Sequence, residues 1–176
     1  FTQDIGAKEP VPDSKRYINL KSYGALAFVG VPLYLLPEGF NYVPLLLGGY
    51  FHFPLIMTRK RINLAIDIIP LVGVVPSTPG TDYEMGVDAF LELSIAISKK
   101  SIISVNIGSG PYFISVETEK QANGYIFSNY LLLAYKRRLA LNREKTWEIN
   151  FYGGVRHISN ARLKDPNFGI DSVISG

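Results

Sequence analysis

Over long stretches of this chain every second residue is apolar. Between Tyr83 and Ile97 one set of positions reads Tyr83, Met85, Val87, Ala89, Leu91, Leu93, Ile95 and Ile97, and the other reads Glu84, Gly86, Asp88, Phe90, Glu92, Ser94 and Ala96. A helix would scatter those carboxylates among the apolar groups, whereas a strand sends the two sets to opposite faces. The alternation recurs from Ile62 to Val74, where Asn63, Ala65 and Asp67 stand opposite the apolar row, and again from Ile103. Val43, Leu45, Leu47, Phe51, Phe53 and Leu55 oppose Tyr42, Tyr50 and His52. Trp147, Ile149, Phe151, Gly153 and Val155 oppose Glu148, Asn150, Tyr152 and Arg156. Turn signals divide the chain into eight such segments, predicting strands near 21–35, 42–56, 61–75, 82–97, 101–116, 124–137, 146–159 and 169–176.

Long strands in direct succession, with no helical pattern between them, predict an all-β fold: an eight-stranded antiparallel up-and-down β-barrel, which removes its edges by closing. Two barrels share this pattern. A soluble lipocalin-like carrier turns its apolar row inward, while a barrel of outer-membrane type turns it outward to lipid and keeps the charged row inside. The strands exceed the usual length of about 5–6 residues, the apolar rows have almost no polar interruptions, and Tyr, Trp and Phe gather near strand ends. These features favour the outer-membrane type. With both termini periplasmic, the short turns Thr58–Lys60 and Ser98–Lys100 fall inside, and the longer Val75–Thr81 and Glu117–Asn123 fall outside. The inner turns collect Arg59, Lys60, Arg61, Lys99, Lys100, Arg137, Arg138, Arg143 and Lys145, a solvated basic rim. The most apolar stretch, Tyr23 to Pro37, is broken by Gly24, Gly30 and Pro32 and is no transmembrane helix.

Composition narrows this further. Of 176 residues 47% are apolar and 19% charged, with a mean hydropathy of +0.13, which rules out disorder and suits one domain. Residues 1–20, with Pro10 and Pro12, read as an extended leader, and residues 21–176 as a single barrel domain. A net charge of +3 gives no argument for a nucleic-acid partner. Without Cys there is no disulfide and no thiol nucleophile. The start at Phe1 reads as a processed or trimmed end. About six residues follow Ile170, fewer than the 9–11 a spanning strand needs, so the chain is expected to continue beyond Gly176 and the seam between first and last strands to be incomplete. Asp67, Glu84, Asp88, Glu92 and Arg156 are expected to fill the lumen as a hydrogen-bonded network, which argues against a pore. His52 has no second His or carboxylate at metal-ligand spacing and reads as an ordinary interior residue, so no metal site is expected. Gly108-Ser-Gly110-Pro lacks the Lys and the helix of a phosphate loop and reads as a local bend.

The chemically informative segment is near the C-terminus. In a strand His157 and Ser159 point to one face, about 6.5–7 Å apart, and both lie in the apolar row behind Trp147, Ile149, Phe151 and Val155. Polar groups at the end of a lipid-facing stripe ask for a reason. Asp165-Pro166-Asn167 and Gly169 allow the chain to turn back and bring Asp171 alongside. A hydroxyl, an imidazole and a carboxylate are the acyl-transfer set. On spacing alone the same residues more readily describe a loop rich in small polar side chains, with His157 an interfacial histidine bonded to a loop carbonyl and Asp171 a turn residue.

His157-Ile-Ser159-Asn160-Ala161, followed by Leu163-Lys164, Pro166-Asn167, Gly169-Ile170 and an acid at 171, resembles the C-terminal signature of lipid A 3-O-deacylases (PagL-like). The motif covers roughly residues 153–175, and the rest of the chain is similar in strand count and order. The resemblance implies an eight-stranded barrel in the bacterial outer membrane that hydrolyses the ester-linked acyl chain at position 3 of lipid A, with a Ser-His-acid triad on its outer wall. Ser159 would be the nucleophile, His157 the general base and Asp171 the acid. The oxyanion hole would fall on the Asn160 side chain and the Arg162 backbone N–H, and Arg162 and Lys164 would meet the anionic headgroup of lipopolysaccharide. The implied partners are lipid A and outer-membrane lipids, with no metal or organic cofactor. Two departures stand out: the family acid is typically Glu, and position 162 is commonly glycine. A catalytically inert structural barrel and the soluble carrier are the other classes of function the pattern admits.

Overall fold

The computed structural model describes residues 20–33, 42–57, 62–76, 80–118, 121–140 and 146–176. Residues 1–19 of the expected leader, the turn 58–60 and the basic residues Arg61, Arg143 and Lys145 lie outside them. The strands are β1 (Ser22–Pro32), β2 (Leu45–Met57), β3 (Ile62–Pro76), β4 (Thr81–Ala96), β5 (Ser101–Ile114), β6 (Gly124–Ala140), β7 (Thr146–Ser159) and β8 (Ile170–Ser175). They close a barrel in chain order, each antiparallel to the next. The predicted segments correspond strand for strand. β2 begins later than the apolar pattern suggested, at Leu45, and β6 runs further, to Ala140.

The expected gap between first and last strands is not what the structure shows. β8 is only six residues long, yet it pairs with β7 from Ile170 to Ser175 and with β1 through Val29↔Ser175, Gly30↔Ile174, Val31↔Val173 and Pro32↔Ser172. Gly176 extends the β7–β8 ladder by exchanging backbone hydrogen bonds with Tyr152 of β7, at 2.7 and 3.1 Å. Antiparallel ladders need no minimum length to close a ring; these residues saturate both neighbours along their short run. The bend expected at Gly108–Gly110 is instead continuous strand. A Cβ at Gly110 would sit 1.9 Å from the Val87 carbonyl oxygen, so this glycine permits close backbone approach rather than a turn.

The pleat then decides what faces what. Leu91, Leu93 and Ile95 of β4 are about half exposed, while Glu84, Asp88 and Glu92 of the same strand are buried. The apolar row therefore points out and the charged row in, the reverse of a soluble carrier. Leu47, Val72, Ile107, Leu133, Phe151 and Val155 extend the apolar wall around other strands, far more apolar surface than a water-facing monomer carries.

The lumen is filled, not open. Arg156 is completely buried and bidentate to Glu84, with Nη1 donating to Oε1 at 2.9 Å and Nη2 to Oε2 at 3.1 Å. Its Nε donates to Ser128 Oγ at 2.8 Å, and Tyr42 donates to Glu84 Oε2 at 2.8 Å. The guanidinium lies 5.1 and 5.5 Å from the ring centres of Tyr112 and Tyr130, within cation–π range, and Tyr112 donates to Asp88. A planar fork with several donors can satisfy this many partners at once, which a lysine cannot. Near the other end of the barrel, Lys136 pairs with Glu92 and donates to Tyr50 at 3.3 Å.

Breaking the central pair is expected to be expensive. Arg156→Met leaves the Glu84 carboxylate buried and unpaired and should destabilise the barrel by about 3–5 kcal/mol, while Arg156→Met combined with Glu84→Gln loses much less. Urea midpoints of the heat-modifiable folded band, compared among the three proteins, check this; equal losses in the single and double variants would contradict it.

Candidate active site

β7 carries Val155, His157 and Ser159 on its outward row, and Arg156 and Ile158 on its inward row. β8 runs beside it in a register that pairs His157 directly with Asp171. The two side chains meet: His157 Nδ1 and Asp171 Oδ1 are 2.8 Å apart, and each is 41% exposed on the outer wall. A carboxylate can only accept, so Nδ1 carries the hydrogen and Nε2 is left with its lone pair. Although aspartate is a methylene shorter than glutamate, the direct cross-strand register lets it reach.

Ser159 is half-buried two residues further along the same face and pairs with Phe127 of β6. Neither its hydroxyl nor His157 Nε2 makes a hydrogen bond to another described residue. The structure thus brings His157 and Asp171 into contact and keeps Ser159 on their side of the wall, without a bond between Ser159 and His157. Gly169 packs against the ring. It has φ +75°, and a Cβ there would meet His157 Cε1 at 2.6 Å and the Ile158 carbonyl oxygen at 2.8 Å. Only glycine fits both the left-handed backbone and the space.

The loop between β7 and β8 is organised by Asn160, which is buried. Its backbone N–H donates to Asn167 Oδ1 at 2.9 Å, its Oδ1 accepts from the Arg162 N–H at 3.0 Å, and its carbonyl accepts from the Leu163 N–H at 3.0 Å. Its Nδ2 donates to the Lys164 carbonyl. Both expected oxyanion donors, the Asn160 amide and the Arg162 N–H, are therefore engaged within the loop. Arg162 has φ 65° and Ala161 φ 51°, the left-handed region that favours glycine. The loop leans on the 117–123 connection: Lys164 Nζ donates to Asn123 Oδ1 at 2.7 Å, the Ala122 N–H donates to the Pro166 carbonyl at 2.9 Å, and Gln121 bridges to Asn167. Arg162 and Lys164 both lie exposed on this loop.

Two polar residues that the sequence reading passed over also belong to this region. Asn129 of β6 is the direct partner of His157 on the side away from Asp171, and Ser109 of β5 is the direct partner of Asn129. Both are exposed on the outer wall, with Ser109 Oγ donating to Asn129 Oδ1 at 2.9 Å. The available signal was the interruption of two apolar rows at these positions.

The structure also gives His52, on the inner row, its partners. The β2–β3 register pairs it with Asp67, and its Nδ1 lies 2.6 Å from Asp67 Oδ1. Glu92 is added from β4, and ligand atoms of all three lie within 4.8 Å of one another. His52 and Glu92 line a cavity of about 340 Å³ together with Lys21, Arg138 and Glu148, at the end of the barrel away from the 160–169 loop. Sequence spacing hid the set because the three residues come from three strands. The set offers nitrogen and oxygen donors suited to a divalent cation, but Lys136 already neutralises Glu92.

The family described as lipid A 3-O-deacylase (PagL) matches residues 73–174. That is more than half the chain and takes in β4 to β7, nearly all of β8 and the whole 160–169 loop. No curated protein and no solved structure matches the chain.

Gly169→Ala is expected to push the imidazole off Asp171. The downfield Nδ1 proton resonance of His157 in the detergent-solubilised barrel reads this directly; it should vanish or shift while the barrel remains folded by gel mobility.

Proposed function

The chain belongs to the lipid A 3-O-deacylase (PagL) family, and from that premise we propose that it is an outer-membrane serine esterase that hydrolyses the 3-O-linked acyl chain of lipid A. The observation that carries this reading is the 2.8 Å His157–Asp171 contact on the outward face, with Ser159 two residues along. A substrate whose acyl chains lie in a bilayer reaches its nucleophile only from the lipid side, and the apolar wall supports that orientation.

In this mechanism Ser159 Oγ attacks the ester carbonyl carbon while its proton passes to His157 Nε2. Asp171 holds the imidazole by Nδ1–H and stabilises the cation that forms. Collapse of the tetrahedral intermediate breaks the ester C–O bond, and His157 returns the proton to the departing sugar hydroxyl. Water then attacks the acyl-serine with His157 as base, releasing the fatty acid and restoring Ser159. The negative charge on the tetrahedral oxygen calls for donors, and Asn160 Nδ2 and the Arg162 N–H, both within three residues of the nucleophile, are the pair the family resemblance assigns to it. To serve, they exchange their Lys164 and Asn160 acceptors for the substrate oxygen as the loop tightens around it. The exposed cations of Arg162 and Lys164 fit the phosphates of the headgroup.

Mass spectrometry of lipid A from cells producing the protein should show loss of one acyl group, absent with Ser159→Ala when both barrels fold. Unchanged lipid A with a folded wild-type barrel would favour the inert structural barrel instead. Asp171→Ala should lower kcat by roughly 10³-fold or more, and Asp171→Glu should restore most of it; equal inactivity of both variants would remove Asp171 from the mechanism.

A further inference from the structure

A second hydroxyl, imidazole and carboxylate stand in line on the inner face of the sheet, at the end of the barrel away from the 160–169 loop. Ser22 of β1 pairs directly with His52 of β2, and His52 pairs directly with Asp67 of β3. Directly opposed residues of antiparallel strands send their side chains to one face, with Cβ atoms about 4.5–5.5 Å apart. That face is the lumen: Asp67 is buried, and Ser22 and His52 both line the cavity of about 340 Å³. The outer-wall mechanism uses none of the three.

The imidazole is held here as His157 is held on the outer wall. His52 Nδ1 lies 2.6 Å from Asp67 Oδ1. A carboxylate only accepts, so Nδ1 carries the hydrogen and Nε2 keeps its lone pair. Glu92, the other carboxylate nearby, is taken by Lys136. Neither His52 Nε2 nor the Ser22 hydroxyl makes a hydrogen bond to another described residue. Exposure rises along the row, from 2% at the Asp67 side chain to 17% at His52 and an open Ser22 at the start of β1. A shielded acid thus orients a base that reaches the cavity, and a hydroxyl stands beside that base where water and solutes arrive.

Tyr50 answers the remaining requirement, a donor for a developing oxyanion. Its hydroxyl lines the same cavity, lies 3.3 Å from His52 Nδ1 and accepts from Lys136 Nζ at 3.3 Å. Because Nδ1 is already protonated towards Asp67, the Tyr50 hydrogen has no acceptor there and is free to turn to a substrate oxygen, with the Lys136 ammonium behind it. The cavity lies on the opposite face of the sheet from His157, out of reach of an acyl chain anchored in a bilayer. Its volume sits at the small end of the range for small-molecule sites, about 300–1,000 Å³.

We propose that Ser22, His52 and Asp67 form a second esterase site, which takes short, water-soluble carboxylic esters through this end of the barrel. Ser22 Oγ bonds to the ester carbonyl carbon as its proton passes to His52 Nε2, and Asp67 acts as the positioning residue through Nδ1–H. The tetrahedral intermediate then breaks the ester C–O bond, and His52 returns the proton to the departing alcohol. Water attacks the acyl-serine with His52 as base, which releases the carboxylic acid and restores Ser22. The site shares no residue with the outer wall and stands or falls independently of it.

The test uses the full chain, folded in detergent micelles, in a Ser159→Ala background that removes the outer-wall nucleophile. The probes are p-nitrophenyl butyrate and a short-chain fluorophosphonate. Hydrolysis should persist in Ser159→Ala, and peptide mass spectrometry should find the phosphonate on Ser22. Adding Ser22→Ala should abolish the label and lower kcat by roughly 10³-fold or more. Adding Asp67→Asn instead should lower kcat by a similar factor with KM unchanged, while gel mobility shows each barrel folded. A folded Ser159→Ala barrel in which Ser22 stays unlabelled would overturn the proposal, as would hydrolysis undiminished by Ser22→Ala.

Discussion

In a closed eight-stranded sheet every side chain points to one of two media, and its parity along the strand decides which. No edge exists at which a misplaced residue can escape, so a slip of a single residue would drive Glu84, Asp88 and Glu92 into the apolar surroundings and bring Leu91, Leu93 and Ile95 inside. The penalty for moving those carboxylates from their buried partners onto an apolar wall is what makes the register unambiguous. Everything else follows from it, including the appearance of His157, Ser159 and Asp171 on the outside.

The lumen and the wall play complementary parts. Inside, Arg156 is saturated by Glu84, Ser128 and Tyr42, so β4, β6, β7 and the residues before β2 are tied across the barrel axis. This network backs the strand that carries the proposed site, because Arg156 is the immediate neighbour of His157 in β7. Rigid strands hold side chains more closely than loops can. The imidazole and its carboxylate are positioned by backbone pairing, while the donors proposed for a substrate oxygen lie on a loop that Asn160 and Asn167 organise.

The polar residues of the outer wall reach beyond the proposed triad. Asn129 and Ser109 continue the line of His157 over two further strands.

Much of this was legible in the chain. The period of two announced eight strands, the nearly uninterrupted apolar rows favoured an outward apolar face, and Asp67, Glu84, Asp88, Glu92 and Arg156 announced a filled interior. His157 and Ser159 were legible too, as i and i+2 in an apolar row, because strand geometry alone puts them on one side. What no linear pattern contains is register between strands distant in sequence. Only the assembled sheet decided that Asp171 lies opposite His157, that Asn129 lies on its other flank, that His52 meets Asp67 and Glu92, and that six residues of β8 suffice to close the ring. Alternation is a local property set by the pleat, whereas register is set by the summed fit of all eight strands around a closed circumference.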